Sequence, residues 1–157
     1  MSTLRVTNLQ HPSSSSNNLT FNSNGTVEGI INRMTSKTAS GSTALDFLSI
    51  PANVKRITIM FENISWNNGN EGIVQIGDSG GLENSGYTSN CGYFGPGQGT
   101  LQRSNGFVWA TFNSSSTFSG HLTLTNPRDN LWVSSHTVTR TNDYYTCLLY
   151  TSDAADE

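Results

Sequence analysis

The chain has 157 residues, which is the length of a single domain with a core of ordinary size. Charged residues make up only 12% of it and its formal net charge is -3, while Ser, Thr and Asn together supply 59 positions. This composition disfavours long helices and favours strands joined by tight turns. No apolar run approaches the roughly 20 residues of a membrane span, and the basic residues are scattered, so we expect neither a membrane span nor a nucleic-acid partner.

The first 33 residues predict a connector rather than an independent domain. Short apolar alternations, "LRVTNLQ" and "NLTFNSNGTVEG", are separated by the polar run "HPSSSSNN". Asn24 followed by Gly25 is a strong turn signal, because both residues tolerate a positive φ. Since such short pieces bury little apolar surface, we expect residues 1–33 to form a short extended arm that packs on another element.

Residues 34–146 carry a steadier alternation, and we expect them to form a head domain. "TALDFLSIP" places Leu45 and Phe47 on one face of a predicted strand that ends at Pro51. The segment "VKRITIMFENISW" follows, with three apolar side chains on one face: Ile57, Ile59 and Phe61. The alternation then slips to the opposite parity, which predicts a bulge or a strand end near Asn63.

The second half of the head adds further predicted strands. "IVQIG" is short and nearly all apolar, whereas Asp78 to Asn105 is rich in glycine, shows little periodicity and is expected to be a loop region. "GFVWATF" predicts a strand buried on both faces, "TFSGHLTLTN" alternates at its apolar positions, and "NLWVSSHTVT" predicts one more strand. Six or seven strands without a convincing helix predict an all-β fold, an antiparallel β-sandwich of the jelly-roll kind.

The string "GDSGG" around Ser79 also surrounds the nucleophile of chymotrypsin-like serine proteases. That chemistry needs a histidine base and an orienting aspartate, which precede the serine in those proteases. Here His11 and Asp46 occupy that order, but neither stands in the protease's sequence context. Gly at a positive φ and Asp bonding to its own backbone are ordinary turn chemistry. We therefore expect Ser79 to lie in a turn, and we expect no enzymatic activity.

Aromatic residues in and before the loop region form the candidate ligand-binding set of this sequence. They are Trp66, Tyr87, Tyr93 and Phe94. Flat rings beside amide groups stack on sugar rings, but Tyr and Trp are also favoured at subunit interfaces. A third interpretation is that these rings cap an open end of the sandwich. All three interpretations remain open at the level of sequence.

The sequence predicts no metal site and no cofactor. His121 and His136 lie within or beside predicted strands and have no Cys or carboxylate at ligand spacing, so both are expected to be surface or internally hydrogen-bonded histidines. Asp129 and Asp143 are isolated, which leaves no acid–base pair to name. The two cysteines, Cys91 and Cys147, either pair or stay free.

The end of the chain, residues 147–157, reads "CLLYTSDAADE". This string resembles one reading-frame translation of the transposon-end adapter used to fragment DNA for sequencing. The alternative is a genuine terminal strand followed by an acidic tail. We expect an adapter-derived artefact, a truncated head domain and a Cys147 that is not native, and such segments are set aside when a fold is predicted.

Three phrases elsewhere in the chain resemble structural proteins of tailed bacteriophages from marine metagenomes, especially cyanophage-like tail-fibre or virion proteins. The phrases are "NLQHPSSSSNNLTF", "LDFLSIPANVKRITIMFENIS" and "VQIGDSGGLENSGY". A fourth, "SGHLTLTNPRDNLWVSSHTVT", is a looser match, and together they span most of residues 4–139. None of the four is a catalytic signature, so the resemblance depends on their sum.

The resemblance implies an all-β head domain on a short arm, carried by a homo-oligomeric fibre for which a trimer is favoured. It implies a protein assembled in the host cytoplasm and located in the virion, in the phage tail. Its partners would be other copies of itself, other virion proteins and a host-surface glycan. The alternative function is a free-standing carbohydrate-binding module of the lectin-like sandwich type.

Overall fold

The computed structural model describes most of the head and small parts of the N-terminal region. The described residues are 8–9, 19–21, 23, 27–28, 31–41, 44–51, 53–65, 71–93, 98–111, 116–128, 131–141 and 151–152. Chain contacts divide the protein into two units, Met1–Leu45 and Asp46–Glu157. The predicted division into arm, head and artefact stays a prediction.

The first unit contains one small antiparallel sheet. Strand β1 (Asn8–Leu9) pairs with β2 (Leu19–Phe21), which pairs in turn with β3 (Val27–Glu28). The segment that follows, residues 31–41, is exposed and has no regular secondary structure.

Within its described residues the second unit contains ten strands and no helix. In chain order they are β4 (Arg56–Ile64), β5 (Glu71–Val74), β6 (Gly77–Asp78), β7 (Gly81–Leu82), β8 (Thr88–Tyr93), β9 (Gly99–Arg103), β10 (Phe107–Thr111), β11 (Phe118–Arg128), β12 (Leu131–Arg140) and β13 (Thr151–Ser152). Six of them form one sheet in the order β4-β11-β12-β13-β8-β9, while β10 pairs with β5 and β6 pairs with β7. Each of these pairings is antiparallel, so the all-β antiparallel prediction is confirmed.

The core forms where the long apolar strands meet the β5–β10 pair. Its buried side chains are Tyr87, Phe107, Trp109, Ala110, Phe118, Leu122, Leu124 and Val138. β10 is buried from Phe107 to Ala110, which confirms the prediction of a strand covered on both faces, and β11 is buried at Phe118, Leu122 and Leu124 as its alternation predicts. Burial of each large apolar side chain contributes about 1.5–3 kcal/mol, so this cluster is the main source of stability.

The predicted irregularity near Asn63 is present as a bulge. β4 and β11 pair in regular register from Arg56 to Phe61, and the register shifts between Gly120 and Phe118. Asn63 has a φ of 52 degrees, in the left-handed region, and its N–H donates to the Ser119 hydroxyl at 3.0 Å. The side-chain oxygen therefore satisfies a backbone donor that the ladder cannot reach.

Two predictions about strands were wrong. Residues 44–51 form no strand although Leu45 and Phe47 alternate; Leu45 is exposed, and Ser49 has a φ of 62 degrees, which is incompatible with an extended strand. The glycine-rich region between Asp78 and Asn105, expected to be a loop, contains β7, β8 and β9 and the end of β6. Its strands are rich in Ser, Asn and Gly, which carry no apolar period for a sequence pattern to reveal.

The described part of the chain contains no helix with the length and apolarity that a membrane crossing requires.

Candidate functional site

Ser79 lies in a hairpin turn, as the sequence predicts. β6 and β7 pair at Gly77–Leu82 and Asp78–Gly81, which leaves Ser79 and Gly80 as the two turn residues. The Gly80 N–H donates to the Asp78 carboxylate at 2.6 Å, and Gly81 has a φ of 130 degrees. Asp78 therefore serves the backbone of its own turn, and the "GDSGG" string is accounted for by local geometry.

Tyr87, one of the four candidate ligand-binding residues, lies inside the core. Only 4% of it is exposed, and its ring meets the Phe107 ring edge-on at 5.0 Å. Its hydroxyl accepts a hydrogen bond from the Ile76 N–H at 3.0 Å and donates one to the Glu83 carbonyl at 3.2 Å. Burial raises the pKa of this hydroxyl. The hydrogen bonds of the buried Tyr87 hydroxyl therefore hold the segment after β5 against the core.

Of the other three candidate residues, Tyr93 alone lies within the described part of the chain. Tyr93 is half-buried at the end of β8, opposite Gly99 of β9, and its hydroxyl lies so close to Gly99 that a Cβ there would be 2.4 Å away. Trp66 and Phe94 lie outside the described residues. Because two of the four residues lie outside the described part of the chain, the ligand-binding role of the set stays a prediction.

A row of small polar side chains is buried between β8 and β12, and we call it the polar row. Its members are Ser89, Cys91, Ser134 and His136, each 2% exposed or less. Ser89 and Ser134 lie in register across β13, since each pairs with Thr151. Cys91 and His136 lie two residues further along their strands, on the same faces as the two serines.

Cys91 and His136 are in contact. The Cys91 Sγ lies 3.8 Å from the His136 Nε2. Cys91 is disulfide-bonded, and the sequence has only one other cysteine, Cys147, which lies outside the described residues. A disulfide sulfur can only accept a hydrogen bond, so the contact assigns the ring proton to Nε2. The lone pair is then on Nδ1, which is buried and has no hydrogen-bond partner among the described residues.

This environment keeps His136 neutral. Burial lowers the pKa of His136 from 6.5 to about 4; a backbone hydrogen bond with Trp109 opposes that change, and the charge of His121 adds to it. Protonation would place a charge in an apolar interior, which is the costly state. At neutral pH the polar row therefore carries an uncharged imidazole that contacts a disulfide, an arrangement suited to packing.

The Ser89 hydroxyl accepts a hydrogen bond where the pairing of β5 with β10 is irregular. The register of β10 against β5 shifts between Val108 and Ala110, and at this irregularity the Val108 N–H donates to the Ser89 hydroxyl at 2.8 Å. Both residues are completely buried. The hydroxyl thus satisfies a backbone donor that would otherwise remain unpaired in the interior.

An ion pair joins the edge strand β9 to β5. The Arg103 guanidinium donates through two nitrogens to the two carboxylate oxygens of Glu71. The Arg103 side chain is 40% exposed, so solvent screening limits the stabilising effect of the pair to about 1 kcal/mol or less.

The described residues hold no group of three or more His, Cys, Asp or Glu side chains placed to share a metal ion. The expectation that the chain works without a metal or cofactor stays a prediction. His136, expected to be a surface or internally hydrogen-bonded histidine, is buried; its Nε2 contacts Cys91, and its Nδ1 has no partner among the described residues. No sequence signal marks its contact with Cys91, because the two residues lie 45 positions apart on strands made mostly of small polar residues.

Comparison of the chain with protein-family models, with curated proteins and with solved structures finds no match.

Proposed function

We propose that this protein is a non-enzymatic structural component of a bacteriophage virion, tail-fibre-like and homo-oligomeric, that contacts host-surface glycans. The observation that carries the proposal is the resemblance of four phrases, spread over residues 4–139, to marine phage virion proteins. The antiparallel all-β structure agrees with what that resemblance implies. A trimer is the favoured assembly, located in the phage tail.

Within this proposal the second unit is a jelly-roll-like β-sandwich. Phe61 of β4 stacks on Trp109 of β10 with ring centroids 4.0 Å apart and planes 10 degrees apart. Trp109 also meets Phe118 of β11 edge-on at 6.5 Å. One ring of the β5–β10 pair therefore packs against two strands of the six-stranded sheet. Side chains that interdigitate between two sheets are the defining feature of a sandwich core.

The described polar groups support a structural role. The Asp78 carboxylate and the Ser89 hydroxyl bind backbone N–H groups, and His136 is enclosed in the interior. These groups complete turns, bulges and packing, which are the tasks of a scaffold that displays surface loops.

The viral assignment is tested by the genes beside this one. Sequencing the DNA on both sides of the codon for Thr146 should show phage tail or baseplate genes and a different sequence in place of the last eleven codons. A cellular neighbourhood of metabolic genes would overturn the viral proposal.

The assembly and the ligand are tested separately on the purified protein. Light scattering should give a mass of three copies or a multiple of three, whereas a carbohydrate-binding module is expected to be monomeric. On a glycan array, Trp66→Ala and Tyr93→Ala should each reduce binding by about tenfold, the loss of roughly 1.4 kcal/mol that one stacked ring contributes. Leu82→Ala, which removes an exposed apolar side chain from the β7 hairpin, is the matched control. Undiminished binding by both aromatic variants would rule out the proposed surface.

A further inference from the structure

Strand β4 forms one edge of the six-stranded sheet. β11 pairs with one side of it from Arg56 to Ile64, and no described strand pairs with the other side. A long edge strand presents a row of N–H and C=O groups that another strand can pair with. Natural proteins block such an edge with proline, with inward-pointing charges or with bulges; β4 has no proline and no inward-pointing charge, and its bulge lies near its end, at Asn63.

The hydrogen bonds to β11 show which residues present their backbone groups outward. The Asn126 N–H donates to the Lys55 carbonyl at 2.9 Å, so residue 55 is a hydrogen-bonded position toward β11. Hydrogen-bonded and non-hydrogen-bonded positions alternate in an antiparallel ladder. The odd residues 57, 59 and 61 therefore bond to β11, and the even residues 56, 58, 60 and 62 direct their N–H and C=O groups toward the open edge.

The side chains of β4 also alternate between even and odd positions, in their exposure to solvent. The even positions are exposed: Arg56, Thr58, Met60 and Glu62. Met60 is 75% exposed although it is apolar. The odd positions face the core but stay only partly buried: Ile57, Ile59 and Phe61. Both faces of the strand thus keep apolar surface that a neighbouring strand would cover.

We propose that a second copy of this chain pairs with this edge, β4 against β4 in antiparallel fashion, about a two-fold axis at Ile59. This register places Arg56 of each copy opposite Glu62 of the other, and Thr58 opposite Met60. On the core side it places Ile57 opposite Phe61 and Ile59 opposite its own counterpart. The hydrogen-bonded pairs are then the even residues, which are the ones with outward backbone groups. The interface is isologous and closes after two copies.

Charge complementarity selects this register. Moving the axis by one residue toward Thr58 places Arg56 opposite Met60, and moving it toward Met60 places Arg56 opposite Ile64. Only the axis at Ile59 matches both charges of β4 in opposite-sign pairs, which stabilise adjacent strands. Neither Arg56 nor Glu62 forms an ion pair with a described residue of its own chain, so both charges are available.

The geometry of the strand agrees with the same axis. The regular ladder with β11 runs from Arg56 to Phe61, and the bulge at Asn63 ends it. The regular stretch before the bulge therefore covers residues 56–61, and its midpoint lies between Thr58 and Ile59. The charge pattern selects Ile59, and the extent of the regular ladder agrees with that centre to within one residue.

The pairing goes beyond the proposed function and does not depend on it. Light scattering on the full chain should give the wild type twice the mass of Arg56→Glu at the same concentration, because the variant places two like-charged pairs in the interface. The dissociation constant should rise by about tenfold or more. Glu62→Arg should have the same effect. The double variant R56E/E62R restores both opposite-sign pairs and should recover the wild-type mass.

Mixing the two single variants gives the sharpest result. Opposite a Glu62→Arg copy, each Arg56→Glu copy finds only opposite charges, so the mixture should regain the doubled mass that neither variant has alone. Thr58→Pro removes one outward N–H and no backbone bond to β11, although it also removes the hydroxyl contact with Thr123, and it should also halve the mass. Arg128→Glu, an equal charge change at the end of β11, should keep the wild-type mass.

Each variant is compared with the wild type by circular dichroism, so that a loss of mass is separated from a loss of fold. Equal masses for the wild type and folded Arg56→Glu would overturn the pairing, and so would a mixture of the single variants that stays at the lower mass. A three-copy mass that the variants leave unchanged would support the proposed fibre assembly while removing the β4 interface. A wild type of two copies with a one-copy variant would support the β4 interface and contradict the three-copy fibre assembly.

Discussion

The two halves of the six-stranded sheet are built on different principles. In the first half β4, β11 and β12 are nine, eleven and ten residues long; the inward side chains of β4 and β11 are mostly large and apolar, and β12 adds Val138 beside Ser134 and His136 of the polar row. In the second half β13, β8 and β9 are two, six and five residues long, and the buried members of β8 are Ser89 and Cys91. The long half is stabilised by apolar burial, whereas the short half depends on polar groups that satisfy the backbone.

This difference predicts that the two halves of the sheet lose stability in response to different kinds of substitution. Loss of apolar volume or of close strand approach should affect the long half most, because its contacts are extensive and densely packed. Loss of single hydrogen-bonding atoms should affect the short half, where small polar side chains occupy the interior. Paired substitutions, one in each half, measure the contrast directly.

The largest effect is expected for Gly120→Ala in β11. A Cβ at this position would lie 2.2 Å from the Thr137 carbonyl oxygen, and Gly120 has a φ of 156 degrees. Because the opposing atom belongs to the backbone of β12, the two strands must move apart. We expect a loss of about 4–5 kcal/mol from overpacking and backbone strain together.

Gly92→Ala in β8 is the matched control for this prediction. A Cβ at Gly92 meets nothing within 4 Å, so its unfolding free energy should stay within about 0.5 kcal/mol of the wild type. Urea denaturation of both variants gives the comparison. Equal losses for the two glycines would show that close approach of β11 and β12 is not a requirement of the fold.

Leucine truncation in each half should give the next largest effect. Leu122 of β11 is completely buried in the apolar core, so Leu122→Ala should cost about 4 kcal/mol. Leu101 of β9 is only partly buried beside Cys91 and Val108, and Leu101→Ala should cost about 1 kcal/mol. The denaturant midpoints of the two variants measure these two losses of unfolding free energy. A Leu101→Ala variant as unstable as Leu122→Ala would contradict the view that the long half contributes most of the apolar stabilisation.

Acid should destabilise the protein through His136. Its pKa is about 4 when folded and 6.5 when unfolded, so between these values the unfolded chain binds more protons. The stabilisation is complete above pH 6.5 and is lost as the pH falls toward 4, a total of about 3 kcal/mol. Unfolding free energies at pH 7, 5.5 and 4 should therefore fall more steeply for the wild type than for His136→Phe.

His121→Gln is the control for the acid experiment. His121 is exposed on β11, and its replacement leaves His136 in place, so the variant should keep most of the wild-type pH dependence. If His136→Phe and the wild type lost stability in parallel, the buried imidazole would not be the group that responds to acid.

The same contrast explains how much could be predicted from sequence. β4, β10, β11 and β12 were predicted because apolar side chains recur along them at the period of a buried strand, and the slip near Asn63 correctly predicted the bulge. β8 and β9 were missed, since "TSNCGY" and "GTLQR" show no apolar alternation, although Ser89 and Cys91 do alternate inward. Leu45 and Phe47 have the spacing of a strand, but the chain turns at Ser49 and no strand forms.

The candidate site was predictable only where its chemistry is local. Asp78 and Gly80 interact two residues apart, so the turn could be predicted from a short string. The contact of Cys91 with His136 and the bond of Val108 to Ser89 join distant strands, and they depend on a register that a single sequence does not contain. Tyr87 was a candidate ligand-binding residue because it stands in a polar loop sequence, yet its hydroxyl bonds to two backbone partners inside the core.

The smallest expected effect belongs to Ser89→Ala, and it is the most direct probe of the short half. The substitution removes little volume but leaves the Val108 N–H buried without its acceptor, so the unfolding free energy should fall by about 1–2 kcal/mol. Ser135→Ala, on the exposed face of β12, changes the same atoms at a solvated position and should be neutral within about 0.5 kcal/mol. Hydrogen exchange adds a local measurement, because the Val108 amide should lose protection in Ser89→Ala and keep it in Ser135→Ala. If the two variants were equally stable with equal protection, backbone satisfaction would not be what keeps small polar side chains in this half of the sheet.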